Sequence, residues 1–234
     1  MKLYIANKNY SSWSLRPWLL LRQAGIPFEE HLLTLDPARR ADLKATLGAL
    51  ARSGETPPPG FVPVLVADDG LVVWDSLAIC EYVAETWPDR HLWPSDRHAR
   101  ARARSLCAEM HGGFTALRQN FAMNVASNLS QAGARLLEEK PDLTADVRRI
   151  QALWDAQLQR SGGPFLFGAF SVADAYYAPV CTRFRTYGVP LSESSRRYVE
   201  QVLSIGPMQA WTWDALKAQD FIAAYEPHRQ AASQ

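Results

Sequence analysis

The residues best placed for chemistry are Tyr10-Ser11-Ser12-Trp13-Ser14-Leu15-Arg16 near the start of the chain, and Val62-Pro63 with Asp75-Ser76 further on. The first group is a polar loop rich in hydroxyls that runs into a helix, so its hydroxyls stand at the positive end of the helix dipole. In the second group, proline cannot donate to a strand ladder, so Pro63 belongs at a strand start or a bend. A cis bond there would turn the chain and expose the Val62 backbone N–H and C=O. Asp75-Ser76 stands where a helix N-cap belongs. A free peptide edge can pair with a peptide ligand, a helix N-terminus can take its carboxylate, and Asp75 can meet its ammonium.

The elements that must position these residues follow from periodicity. Lys2 to Ala6 reads as a strand and Asn7 to Ser12 as a loop. A helix starts near Ser12 to Ser14, because Pro17 fits only in a first turn, and it ends at Gly25. Phe28 to Leu35 is a second strand and Asp36 to Leu50 a second helix. Val62 to Val73 forms a hairpin about Asp68-Asp69-Gly70, and a helix follows from Asp75-Ser76. The first 87 residues are thus expected in the order β-α-β-α-β-β-α, with four strands in a mixed parallel and antiparallel sheet.

Trp87 to Pro94 carries two prolines and no periodicity, which marks a linker over 88–97. Beyond it strand signals stop. Ser95-Asp96 caps a long helix reaching roughly Ala126. Thr144 to Arg160, Ser171 to Arg185, Ser192 to Ile205 and Pro207 to Ala218 follow as helices, giving an all-helical domain of about five helices over 98–234. Residues 129–143 read either way, and fraying is expected after Pro227.

Composition narrows the function classes. Of 234 residues 47% are hydrophobic and 21% charged, ordinary for a globular chain with a real core. A net charge of +1 gives no general attraction to nucleic acid or anionic membrane. No apolar run approaches the ~20 residues that span a bilayer, and Met1 to Asn9 has no signal-like apolar stretch. Cys80, Cys107 and Cys181 are widely spaced within apolar helical patterns and read as buried small hydrophobes. The five histidines show no metal-ligand spacing, and no glycine-rich phosphate loop is present. A cytoplasmic protein without metal or nucleotide is expected.

Val62-Pro63-Val64-Leu65 followed by Asp75-Ser76-Leu77-Ala78-Ile79 resembles the glutathione-site signature of the cytosolic glutathione transferases. The Ser171-x-x-Asp174 helix start, preceded by Gly163-Pro164-Phe165-Leu166-Phe167-Gly168, is also similar to that family, where the box is structural. The resemblance implies a thioredoxin-like glutathione-binding domain over 1–87 and a helical domain forming the electrophile-binding wall. Tyr10 to Arg16 is similar to the Ser-Ser-Cys-Ser-x-Arg motif of the zeta class and, more loosely, to a tau-class pattern. The resemblance then makes Ser11 the hydroxyl that meets the glutathione sulfur, with Ser12 second and Tyr10 third. Ser14 or Ser12 is expected to cap the helix. The implied glutathione-binding set is Ser11, Trp13, Val62, Pro63, Asp75 and Ser76.

Two departures stand out. Trp13 replaces the zeta-class cysteine, and Phe61 stands where the family has a basic residue, which Lys44, Arg39 or Arg40 could replace. For the second substrate, Met110, Phe114 and Arg118 recur on related turns, with Glu109 and His111 nearby; core packing is the competing reading for the apolar pair. The expected activity is a homodimeric glutathione transferase that activates the thiol for attack on a small hydrophobic electrophile. The alternatives are a glutathione-dependent isomerase of the maleylacetoacetate type, a disulfide- or peroxide-reducing role, or a non-enzymatic binding module on the same fold.

Overall fold

The computed structural model describes residues 1–219 and 221–228. Strand β1 (Lys2–Ala6) is buried beyond its first residue and sits near the middle of the sheet. Helix α1 (Ser12–Gln23) leads to strand β2 (Glu29–Leu33), which pairs parallel to β1 with Tyr4 opposite His31. A short 3-10 turn at Pro37–Arg39 opens helix α2 (Arg40–Gly48). Strands β3 (Val64–Val66) and β4 (Val72–Trp74) add antiparallel pairs, and helix α3 (Ser76–Thr86) follows. The sheet order is β2-β1-β3-β4. The β3–β4 turn closes as its residues dictate. Gly70 takes a positive φ of 85°, and the Asp69 carboxylate accepts from the Leu71 amide.

Pro17 lies one turn deeper in α1 than a first-turn placement allows. It therefore removes the amide that would meet the Trp13 carbonyl, at a point where the helix is already buried on most sides. Gly25, at φ 67°, lets the amide of Ile26 reach back to the Leu21 carbonyl and ends the helix.

After a 3-10 turn at Pro88–Arg90 the chain is helical. Helix α4 (Arg97–Gly112) begins at Asp96, whose carboxylate accepts from the Ala99 amide. The expected single helix to Ala126 is broken. It stops at Gly112, Phe114 turns left-handed at φ 52°, and α5 (Thr115–Asn120) starts anew. A Cβ on Gly113 would meet the Glu109 carbonyl at 2.6 Å, so the break depends on glycine there. The ambiguous stretch resolves into α6 (Ser130–Glu139) and the start of α7 (Pro141–Ser161), with Pro141 in a first turn where its missing amide costs nothing. Helices α8 (Val172–Thr186), α9 (Glu193–Ser204) and α10 (Gly206–Ala218) complete the described residues, which hold seven α-helices after the linker rather than about five. Of the stretch after Pro227 where fraying is expected, His228 is described, its ring edge-on to Tyr187, and residues 229–234 lie outside the described residues.

Helix α8 is the axis of the molecule. Every residue but Arg185 is buried, and it packs against α1, α4 and α9. Asp174 holds its start. The carboxylate accepts from the Ser171 amide and hydroxyl, the Leu166 amide and the Tyr198 hydroxyl. Burial outweighs these donors and pushes Asp174 up to about 6. All three cysteines are reduced and buried, and burial raises their thiols. Among the described residues no helix is long and apolar enough to cross a membrane.

Candidate functional site

The loop from Asn7 to Ser11 carries β1 into α1 and is tied to both halves of the chain. Asn7 accepts from the Leu35 amide through its side chain. Asn9 accepts from Ala126 and Val125 beyond α5. Lys8 is buried, pairs with Glu30 at 2.8 Å and Asp214 at 2.6 Å, and lies over the rings of Trp18 and Trp211. The loop conformation is therefore set from α10 and from the chain after α5 as much as from its own sequence.

Ser11 occupies the N-cap position of α1, and its side chain makes no capping bond. Ser14 does not cap either. Its hydroxyl accepts from the Ala6 amide at 3.2 Å and from the Ser11 hydroxyl at 2.7 Å. The Ser12 hydroxyl has no partner among the described residues. The expectation of a capping serine is thus not met, because the hydroxyl nearest the first turn is drawn back to β1. The first turn of a buried helix consequently presents its amides and two serine hydroxyls to the cleft with no side chain closing them off, an arrangement suited to an anion.

Arg16 lies just beneath. Its guanidinium carbon is 4.1 Å from the Trp13 ring centroid and 4.4 Å from that of Tyr176. The side chain is fully buried, and Nε and Nη1 have no hydrogen-bond partner among the described residues. Burial lowers its pKa, and it remains a cation at neutral pH. Tyr10 is committed elsewhere. Its hydroxyl donates to the Glu226 carboxylate at 2.6 Å, and burial together with that bond pushes it up to about 12.

The other end of the site lies at β3 and α3. The Val62–Pro63 bond is cis. The Asp75 side chain accepts from the Leu77 amide and caps α3, while its second oxygen lies 3.5 Å from His111 Nε2. Ser76 is buried and shares a hydrogen bond with the Tyr176 hydroxyl at 3.0 Å, which also lies 3.2 Å from His111 Nδ1. The His111 ring stands edge-on to Trp13. A network of Asp75, His111, Tyr176 and Ser76 thus joins three helices behind Trp13.

Two cavities open here and share Trp13, Phe61 and Val62. The smaller, about 360 Å³, is lined by Pro63, Asp75, Ser76 and His111 among others. The larger, about 600 Å³, reaches from Tyr10, Ser11 and Ser12 to Arg118, Arg183 and Tyr225. Together they form one cleft that runs past the open end of α1. Its larger cavity carries positive charge. Arg118 and Arg183 both line it, and each lies close enough to Arg16 for their charges to repel. Burial and the neighbouring arginines push Arg183 down to about 9. Arg40 lines the same cavity with its guanidinium 4.4 Å from the Phe61 ring, whereas Arg39 pairs outward with Asp42.

Ser11, Ser12, Trp13, Val62, Pro63, Asp75 and Ser76 all face this cleft. Of the second-substrate candidates, Arg118 lines it. Met110 is fully buried in the core and Phe114 nearly so, and neither lines the cleft; Phe114 is turned inward by the break after Gly112. Sequence reading missed Arg183, Tyr176 and Tyr225 and gave His111 no role. Arg183 carried a signal, as a lone cation in the apolar run from Tyr176 to Phe184.

Residues 10–86 match the family model of the glutathione S-transferase N-terminal domain, and residues 99–218 that of its C-terminal domain. A probable maleylacetoacetate isomerase of Caenorhabditis elegans is 30% identical over 191 residues, 81% of each chain. The maleylacetoacetate isomerase of Anaeromyxobacter dehalogenans 2CP-1, solved with glutathione in its active site, superposes with a TM-score of 0.60 at 27% identity, covering 90% of this chain and 93% of that one. A glutathione transferase homolog from Burkholderia gl BGR1, solved with glutathione bound, shares the fold at 23% identity and a TM-score of 0.63, covering 93% of this chain and 98% of that one. A sheet led into an open helix start, a Val-cis-Pro edge and an Asp-Ser helix cap on one cleft, and both family domains in order, place the chain in the glutathione S-transferase family.

Proposed function

We propose that the cleft binds glutathione and holds its thiol as a thiolate beside a second substrate in the larger cavity. One observation carries this reading. The first turn of α1 opens onto the cleft uncapped, with Ser11 and Ser12 at its rim and behind it a buried arginine two of whose nitrogens have no hydrogen-bond partner. A free thiol has pKa ~8.5, and a helix N-terminus or nearby cation lowers it toward roughly 3.5–7.5. Ser11 is the donor to sulfur. Ser14 supports it, since hydroxyl protons rotate and the 2.7 Å Ser11–Ser14 bond can run in either direction. With Ser14 donating to Ser11, the Ser11 proton is free to point at sulfur, and the two bonds strengthen one another. Val62 pairs its backbone with the peptide. Asp75, Ser76 and the α3 N-terminus take the γ-glutamyl end, with His111 fixing the Asp75 carboxylate.

The test is the thiolate absorbance of bound glutathione against pH, on the wild type and on Ser11→Ala. A thiol pKa well below the free value that rises in the variant supports the reading. An equal drop in both moves the role to Ser12 or to the helix alone. No saturable binding at millimolar glutathione would leave a binding module on the same fold.

A second reading has its own support. Arg118 and Arg183 give the larger cavity a cationic lining, which suits an anionic substrate and a glutathione-dependent isomerisation; the nematode relative is a probable maleylacetoacetate isomerase. Turnover of a maleyl-type dicarboxylate with glutathione unchanged separates it from conjugation of a neutral aryl halide. The enzyme is read as a cytoplasmic homodimer; buried reduced cysteines fit that compartment.

A further inference from the structure

Beyond α10 the chain returns across the mouth of the larger cavity. The Tyr10 hydroxyl accepts from the Ile222 amide at 3.3 Å and donates to Glu226 Oε1 at 2.6 Å. Asn124 donates to the other Glu226 oxygen at 2.6 Å. Glu226 is only 4% exposed. Between these anchors a single 3-10 turn, Ala223–Tyr225, places the Tyr225 ring on the cavity wall, stacked at 5.6 Å on Tyr10.

The two donors come from different halves of the molecule. Tyr10 belongs to the loop between β1 and α1, and Asn124 to the loop after α5. Burying a carboxylate is costly unless it is well hydrogen-bonded. Glu226 is therefore held where these donors meet it, and that position brings Tyr225 to the cavity. Arg118 and Arg183 line the same cavity as this ring. The cavity thus offers both an aromatic face and cations, which suits a planar conjugated group attached to, or approaching, the sulfur.

We propose that residues 221–228 are a built wall of the second-substrate cleft, with Tyr225 a specificity-determining residue and Glu226 the positioning residue that holds it through Tyr10 and Asn124. The proposal rests on the glutathione reading only for the identity of the ligand beside the wall.

The experiment measures binding rather than turnover. Wild type, Tyr225→Ala, Tyr225→Leu and Glu226→Ala are titrated with glutathione, S-methylglutathione and S-(4-nitrobenzyl)glutathione by calorimetry. The first two ligands do not reach the wall; the third does. Tyr225→Ala and Glu226→Ala are expected to weaken the nitrobenzyl ligand at least about threefold relative to glutathione, the scale of one lost aromatic stack. Tyr225→Leu should recover part of the loss. A Glu226 that merely stabilised the fold would shift all three ligands together or none, and would overturn the positioning role. An intact nitrobenzyl preference in both alanine variants would overturn the wall. Anilinonaphthalene sulfonate, an aromatic anion that needs no glutathione, is titrated in parallel. Should the wild type bind no glutathione, the functional reading fails, and the dye alone decides the wall: weaker binding by Tyr225→Ala supports it, and equal binding overturns it.

Discussion

The Ser11 hydroxyl lies 2.7 Å from that of Ser14, and Ser14 in turn accepts from the Ala6 amide of β1. The pair fixes the rim of the helix start to the sheet and leaves the first turn uncapped. With Ser11 as the proposed thiolate donor, Ser11→Ala would remove one charge-assisted hydrogen bond, about 1.5–3 kcal/mol, so kcat/KM should fall roughly 10- to 100-fold. Ser14→Ala should give a smaller loss of the same kind, because Ser11 remains but is no longer held. Steady-state rates at several pH values check both, and equal rates for Ser11→Ala and wild type would move the donor to Ser12.

Arg16 makes an unusual prediction because stability and function should move apart. A buried cation without hydrogen-bond partners at two of its nitrogens burdens the free protein by several kcal/mol, and methionine fills similar space between Trp13 and Tyr176. Arg16→Met should therefore melt no lower than the wild type. The bound thiol should nonetheless titrate higher, with glutathione affinity down by about tenfold, because the positive potential under the helix start is gone. Thermal melts beside thiolate titration test this; a large drop in melting temperature with an unchanged thiol pKa would contradict it.

Asp174 links pH to the fold. Its carboxyl is raised in the folded state to about 6. A raised carboxyl adds stability that is fully present below its unfolded value and is lost as pH rises through about 6. Asp174→Asn lacks this pH dependence. It turns an amide toward donors and should cost roughly 3 kcal/mol. That penalty should be larger at pH 5 than at pH 8. Urea unfolding at the two pH values measures it, and a penalty that grows toward pH 8 would reverse the sign argued here.

Gly133 in α6 is held against α8. A Cβ there would lie 1.9 Å from the Tyr187 carbonyl oxygen, which is backbone and cannot swing aside. Gly133→Ala should therefore destabilise by about 1–3 kcal/mol, despite alanine's better helix propensity. Thermal melting decides this, and a stabilised variant would show that α6 can move away.

The order of strands and helices along the first half of the chain and the hairpin about Asp68-Asp69-Gly70 were legible because they rest on local chemistry, a periodicity and a turn, whereas the grouping of Ser11, Val62 and Asp75 was implied by the family resemblance. Two neighbouring glycines at 112 and 113 could have announced the break in α4, yet the helical pattern of residues on either side concealed it. What sequence did not convey depends on long-range meetings. Tyr10 and Glu226 are neighbours only because loop and tail converge on the cleft. Ser14 looks like a cap until the Ala6 amide claims it. Met110 and Phe114 have the spacing of a pocket wall, but apolar residues at helical spacing serve a core equally well, and here they do.

Helix α8 offers no uncommitted face, with α1 on one side and α4 and α9 on others. A chain severed in the linker would leave α1 with a bare apolar flank and its buried arginine in water, so the glutathione half should not survive as a fragment. The same tightness limits how this scaffold can diversify. Substitutions along α8 disturb both halves at once, whereas the tail beyond α10 borders the cleft with Glu226 alone buried among residues 221–228. New substrate preferences have room to arise there, at the edges of a centre that must stay as it is.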